Sequence, residues 1–270
     1  MATVIKPKGA LIDLTKCIGC RGCQIACKSW NNRSVKKTVM TGNFTNPLEL
    51  NSETYTMVKF VEFEEHDKMG WDFIKTQCMH CKDPACASVC PVGAFTKSAN
   101  GPVLYNADRC IGCRYCMMAC PFQIPKYEWE KTSPLVQKCT FCADRIAEGM
   151  EPACAKSCAP GAILFDDYEK VAAEAERRIR ENPNKYVNHI YGKEEAGGTS
   201  WMYISGVPFE TLGFRTNIPK VALPSLTWAS LAKIPYAVGG LVTILSLIAY
   251  FRNRGAEHES SERNKSEKEG

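Results

Sequence analysis

The stretch RCIGCRYCMMACP at Arg109–Pro121 spaces Cys110, Cys113, Cys116 and Cys120 as C-x2-C-x2-C-x3-C-P, and three further groups of four account for every other cysteine of the chain. They are Cys17, Cys20, Cys23, Cys27; Cys78, Cys81, Cys86, Cys90; and Cys139, Cys142, Cys154, Cys158. Four thiolates are what one [4Fe–4S] cube requires. Ligands at i, i+3 and i+6 on a tight loop can cap three corners of a cube, and the fourth cysteine then points away toward a neighbouring one. Loops of this kind work in pairs, so sixteen cysteines predict four cubes in a row. No group has lost a ligand, which favours four-iron over three-iron centres.

The spacing at 110–121 is that of two-cluster bacterial ferredoxins. Pro91 and Pro121 directly follow the fourth cysteine of their groups, Pro160 follows Cys158 after one extra residue, and Lys28 stands where proline would follow Cys27. The first and last groups are thus the degenerate pair. Disulfides would also accommodate an even cysteine count, but a bridged framework has no reason to repeat cysteines at intervals of three. Structural zinc uses two separated C-x2-C pairs, and only the last group, C-x2-C-x11-C-x3-C, resembles that arrangement.

The chain carries 34 Lys and Arg against 29 Asp and Glu, and the surplus is spread rather than blocked. A nucleic-acid footprint needs a denser basic stripe with interleaved aromatics, so no nucleic-acid partner is expected. No nucleophile is paired with a base and no nucleotide-binding glycine loop is present, so bond-making catalysis is not expected either. His80, inside the second loop, is read in two ways: as a hydrogen-bond donor that raises a cluster potential, or as a solvent-facing residue.

IPYAVGGLVTILSLIAYF at Ile234–Phe251 is free of charge, and its 18 residues at about 1.5 Å each span about 27 Å. A transmembrane helix is expected at about 231–251, with Trp228, Tyr236 and Tyr250 as interfacial aromatics. A buried core helix is the other reading. Arg215, Lys220 and Lys233 precede the span and Arg252, Arg254, Arg263, Lys265 and Lys268 follow it, which places the C-terminus in the cytoplasm and the iron–sulfur body outside. The tail 255–270 is charged and expected to be disordered. Met1–Lys16 lacks the apolar run of a secretory signal, whereas cluster assembly belongs to the cytoplasm; export must then rely on a partner.

Strands are expected at Gly9–Leu14, Tyr55–Glu64, Val103–Tyr105 and Ala162–Phe165, and a surface helix at 166–183. The apolar segment Gly192–Gly213 is expected to be irregular, either covering a cluster, contacting a partner or forming a plain surface loop.

LIDLTKCIGCRGCQIACKSWN at 11–31, QCMHCKDPACASVCP at 77–91, RCIGCRYCMMACPFQIPKYE at 109–128 and KCTFCADRIAEGMEPACAKSCAPGAILF at 138–165 resemble the four loops of iron–sulfur β subunits of complex iron–sulfur molybdoenzymes. Membrane-bound formate dehydrogenase is the nearest type, and the final hydrophobic helix matches it as well. The resemblance implies an α+β fold of two ferredoxin-like modules, one nested in the other, plus a C-terminal transmembrane helix. The outer module takes 1–70 and 130–215, the inner 71–129, and the membrane anchor 216–254.

The nesting implies a first cluster on Cys17, Cys20, Cys23 and Cys158, and a second on Cys139, Cys142, Cys154 and Cys27. The third is on Cys78, Cys81, Cys86 and Cys120, and the fourth on Cys110, Cys113, Cys116 and Cys90. Spacing alone allows sequential pairing too. The resemblance further implies a molybdenum or tungsten pterin α subunit feeding the first cluster, and a membrane γ subunit with haem b or a quinone site receiving electrons from the fourth. The family's α subunit carries a twin-arginine signal that exports both, in line with a single-pass inner-membrane location; Arg177–Arg178 lies mid-chain and is no such signal. The resemblance loosens over 200–233. Polysulfide, sulfoxide or nitrite reductases and membrane hydrogenases use similar relays, and a structural zinc scaffold is the distant alternative.

Overall fold

The computed structural model describes residues 6–65 and 68–266. Its contacts divide the chain into two units, Met1–Pro224 and Ser225–Gly270. Apolar alternation in KGALID makes Lys8–Asp13 the first strand, β1, and Leu11 and Ala10 have no exposed surface. The first cysteine loop follows and runs into helix α1 (Gly22–Trp30). A long hairpin comes next, β2 (Met57–Glu65) and β3 (Lys68–Thr76), in continuous antiparallel register from Met57↔Thr76 to Glu65↔Lys68.

The second and third loops carry helix α2 (Ala85–Ser88), the β4 (Phe95–Lys97) and β5 (Val103–Tyr105) hairpin, and helix α3 (Tyr115–Ala119). A short ladder, β6 (Lys126–Tyr127) with β7 (Val136–Gln137), leads to the fourth loop and its helices α4 (Ala143–Ala147) and α5 (Ala153–Lys156). Then β8 (Ile163–Asp167) returns antiparallel to β1.

Helix α6 (Tyr168–Glu181) buries Tyr168, Val171, Ala172, Ala175 and Ile179, a stripe at helical spacing that packs on Leu11, Met202 and Ile204. Met202 and Ile204 belong to β9 (Trp201–Ile204), which pairs parallel with β1 and completes a sheet of order β8-β1-β9. A plain surface loop at 192–213 is therefore not what forms: all four β9 residues are buried, and Tyr191, Tyr203, Phe209 and Phe214 pack ring against ring nearby. The sheet holds this strand through pairings such as Ala10↔Trp201, nearly two hundred residues apart in the chain, so no local alternation marks it.

In the second unit, α7 (Leu223–Leu231) ends before Lys233 and α8 (Ile234–Ser266) begins with Pro235 in its first turn, where proline's missing N–H costs nothing. Leu223–Gly255 is long and apolar enough to cross a membrane, and none of that span is buried within the chain, which removes the core-helix reading. The expected disorder of 255–270 is not seen as far as Ser266, where α8 ends; 267–270 lie outside the described residues. Extending an existing helix avoids the nucleation cost, and Ala, Glu, Arg and Lys propagate it readily.

Candidate metal centres

All four cysteine loops share one backbone device. The residue before the second cysteine is left-handed in each: Gly19 (φ 66°), His80 (φ 50°), Gly112 (φ 71°) and Phe141 (φ 57°). This turn aims successive N–H groups at one concave face, an anion-binding nest. The Gly112 N–H lies 3.4 Å from Cys110 Sγ, and the Phe141 N–H lies 3.3 Å from Cys139 Sγ. Glycine adopts the turn without penalty, whereas His80 and Phe141 each carry strain of about 1–3 kcal/mol. Their burial and mutual stacking, with ring centroids 5.0 Å apart, offset it.

The sulfurs gather by space rather than by sequence group. Burial pushes the Cys17 thiol up, with Cys158 and Cys20 adding to it; burial likewise takes Cys23 to about 12, with Cys154, Cys17 and Cys158 as its thiol neighbours. Cys27 reaches about 12 through burial and then Cys154 and Cys142, while Cys139 goes well above its usual value through burial and then Cys27. In the middle of the chain, Cys81 is raised by burial and by Cys78, Cys120 and Cys86. Cys116 is taken to about 11 by burial and by Cys110, Cys113 and Cys90. Helix α1 packs on α5, and α2 on α3.

These sets suit iron–sulfur cubes. All sixteen cysteines are free thiols. Burial makes Cys23, Cys27, Cys139 and Cys142 resist ionisation unless a cation enters among them, and iron coordination deprotonates a thiol outright. Among the described residues no three His, Cys, Asp or Glu side chains converge closely enough to hold one metal ion. A cube, with its cage between the ligands, sets the sulfurs farther apart than a single ion does.

His80 is fully buried, so its solvent-facing reading fails. The Val103 N–H donates to His80 Nδ1 at 2.9 Å, which puts the ring proton on Nε2. Burial and the nearby Lys138 and Lys97 hold the ring neutral.

Two stretches, residues 16–94 and 69–168, match models of the 4Fe-4S dicluster domain. The iron–sulfur subunit of the nitrate-inducible formate dehydrogenase of Escherichia coli K12 is 36% identical over 92% of this chain and 86% of its own length. The formate dehydrogenase-O iron–sulfur subunit of the same organism is 37% identical over 94% of this chain and 86% of its own. This chain belongs to the iron–sulfur subunits of formate dehydrogenase-like complexes. It is an electron-transfer subunit of four [4Fe–4S] clusters, as two dicluster domains and sixteen cysteines require. A protein of Nitratidesulfovibrio vulgaris is 40% identical over 86% of this chain, which spans 63% of that relative. The hydrogenase-2 operon protein HybA of Escherichia coli O157:H7 is 34% identical over 79% of this chain and 73% of its own length.

Sequence reasoning finds every cysteine of the iron–sulfur subunit and misses the charged residues packed between them. Lys75 and Lys138 are buried, and the Lys97 ammonium reaches the carbonyls of His80 (3.0 Å) and Gly101 (2.5 Å). A single lysine in a strand or beside a cysteine carries no local signal of burial. Asp13, also buried, accepts hydrogen bonds from Thr15, Arg178 and Tyr186 and ties α6 to the central sheet.

Proposed function

We propose that this iron–sulfur subunit relays single electrons from a molybdenum or tungsten pterin subunit that oxidises formate to a membrane subunit carrying haem b or a quinone site. The observation that carries the reading is the exposure of the thiols. Cys20 and Cys113 are the exposed cysteines; the others are buried or half-buried. Between those two ends the sets adjoin one another: Cys23 neighbours Cys154, Cys139 neighbours Cys78, and Cys86 neighbours Cys116. That order supports a first cluster on Cys17, Cys20, Cys23 and Cys158, then one on Cys139, Cys142, Cys154 and Cys27. Next come Cys78, Cys81, Cys86 and Cys120, and finally Cys110, Cys113, Cys116 and Cys90.

Apolar side chains crowd both ends, Ile18 and Ile25 beside the first loop and Ile111, Tyr115 and Met118 beside the third, as partner-facing surfaces require. The nested modules, 1–70 with 130–215 around 71–129, follow from the same pairing. The apolar span would anchor the subunit in the inner membrane, with Arg252 and Arg254 on the cytoplasmic side and the clusters outside. The likeness to a hydrogenase-2 operon protein supports a second reading, the same relay serving a hydrogenase.

Each cluster supplies one-electron chemistry when bound. The chain's part is to hold the thiolates, direct N–H groups at sulfur and keep water out. Cys90→Ala, placed in the complex, should abolish the signal of the cluster on Cys110, Cys113 and Cys116 in electron paramagnetic resonance; loss confined to that on Cys78, Cys81 and Cys86 would reject the pairing. Reduction of all four clusters by formate in the intact complex tests the substrate, and reduction by hydrogen instead would favour the second reading.

A further inference from the structure

Lys75 lies on β3 with 2% of its surface exposed, inside the core that holds Cys23, Cys154 and Trp201. Its Nζ donates to Gln77 Oε1 at 2.8 Å and sits 4.3 Å from the centre of the Trp201 ring. Gln77 Nε2 in turn donates to Tyr203 Oη at 2.8 Å, and that hydroxyl donates to the Lys75 carbonyl at 2.9 Å. Gln77 and Tyr203 are both neutral, and among the described residues no carboxylate pairs with this ammonium. A buried cation left with one amide oxygen and an aromatic face carries a desolvation cost of several kcal/mol unless an anion stands nearby. The ionisable groups that act on it are the thiols of Cys154, Cys23, Cys139 and Cys27. Cys23 belongs to the first proposed cluster and the other three to the second.

We propose that Lys75 is the shared counter-charge of the two outer clusters, a positioning residue for electron transfer that stabilises their reduced forms. The inference rests on the cluster assignment given under Proposed function. A cube with four thiolates is a net anion and becomes one unit more negative on reduction, so a fixed buried cation favours the reduced state and raises the potential. Placed between two clusters, it acts on both at once. Lys138 has a different address: its Nζ donates to the Val103 carbonyl at 2.6 Å and the Cys139 carbonyl at 3.1 Å, and it acts on Cys86 of the inner pair.

The test is a redox titration of the intact complex followed by electron paramagnetic resonance. The outer-pair signals are identified by their change in separate Cys20→Ser and Cys142→Ser variants, one for each cluster. Lys75→Met should lower the reduced-to-oxidised ratio of at least one outer cluster at least tenfold at fixed potential, about 59 mV for a one-electron couple. The cluster on Cys110, Cys113, Cys116 and Cys90 should not move. Four assembled clusters with unshifted potentials would overturn the role of Lys75 and leave the relay standing, whereas fewer than four clusters in the unmodified complex would overturn the relay itself. Should Lys75→Met lose iron, Lys75→Arg decides: retention of the outer clusters upholds the charge, and equal loss in both variants rejects it in favour of packing.

Discussion

Asp13 has no exposed surface, yet its carboxylate is fully committed: Thr15 Oγ1 donates at 2.6 Å, Arg178 Nη1 at 2.9 Å and Tyr186 Oη at 2.9 Å. Removing one member of a buried pair strands the other, and Asp13→Ala should cost about 3 kcal/mol. A lower temperature for the loss of cluster absorbance in the complex would register this, while Glu181→Gln, whose partner Arg177 is exposed, should leave that temperature unchanged. Glu174 answers to pH. Hydrogen bonds from Arg177 and Arg178, against the opposing effect of burial, hold its carboxyl at about 2. A depressed folded pKa means the stabilisation is present above the ordinary carboxylate range, near about 4.3, and is lost as pH falls through about 2. The group is mostly solvated, so the effect is small, but Glu174→Gln should flatten the acid limb of the unfolding curve within that window. Neither residue advertises itself in the sequence. The aspartate closes the apolar run Ala10–Ile12 of its strand, and its arginine partner is 165 residues away.

Among the elements, the cysteine loop is the unit that sequence defines best, because its function constrains spacing and backbone together. In the third loop Gly112 has φ 71°, and an added Cβ would fall 2.8 Å from Tyr127 Oη. Gly112→Ala should therefore destabilise by about 1–3 kcal/mol and deplete the cluster of that loop, whereas Gly239→Ala, whose Cβ would meet open space, should leave iron content unchanged. Iron and sulfide analysis of the two purified complexes would separate them. Strands are read less evenly. β1, β2, β5 and β8 show apolar or β-branched runs, but KMGWDFIKT of β3 mixes charge with Gly70. That glycine faces Phe63 across the hairpin, and a Cβ there would come within 2.3 Å of the ring, so the aromatic lies over the bare backbone. A cross-strand accommodation of this kind is invisible until the register is known.

At the scale of the whole molecule, every cysteine lies within Met1–Pro224, and the apolar helix lies outside that unit apart from its first turn. Deleting 231–270 should release the subunit from membranes in cells that lack both partner subunits, without lowering its iron content. Fractionation of membranes with and without the deletion checks this, and a full-length chain already free of the membrane would count against the anchor. The same division accounts for the uneven reach of sequence reasoning. Hydropathy is a local property, so the span shows plainly. The face that a cluster or a partner uses depends on folds of the chain across more than a hundred residues.

The amino-acid sequence by itself determined that four groups of four thiolates are present and that one stretch can span a bilayer, because each follows from residue type at short spacing. Tertiary structure alone decided that Trp201–Ile204 is the third strand of the central sheet and that Lys75 is buried against Gln77 and Trp201. Proximity and burial arise only when distant segments pack, and the electrostatics of a buried charge are set by those neighbours rather than by its place in the chain.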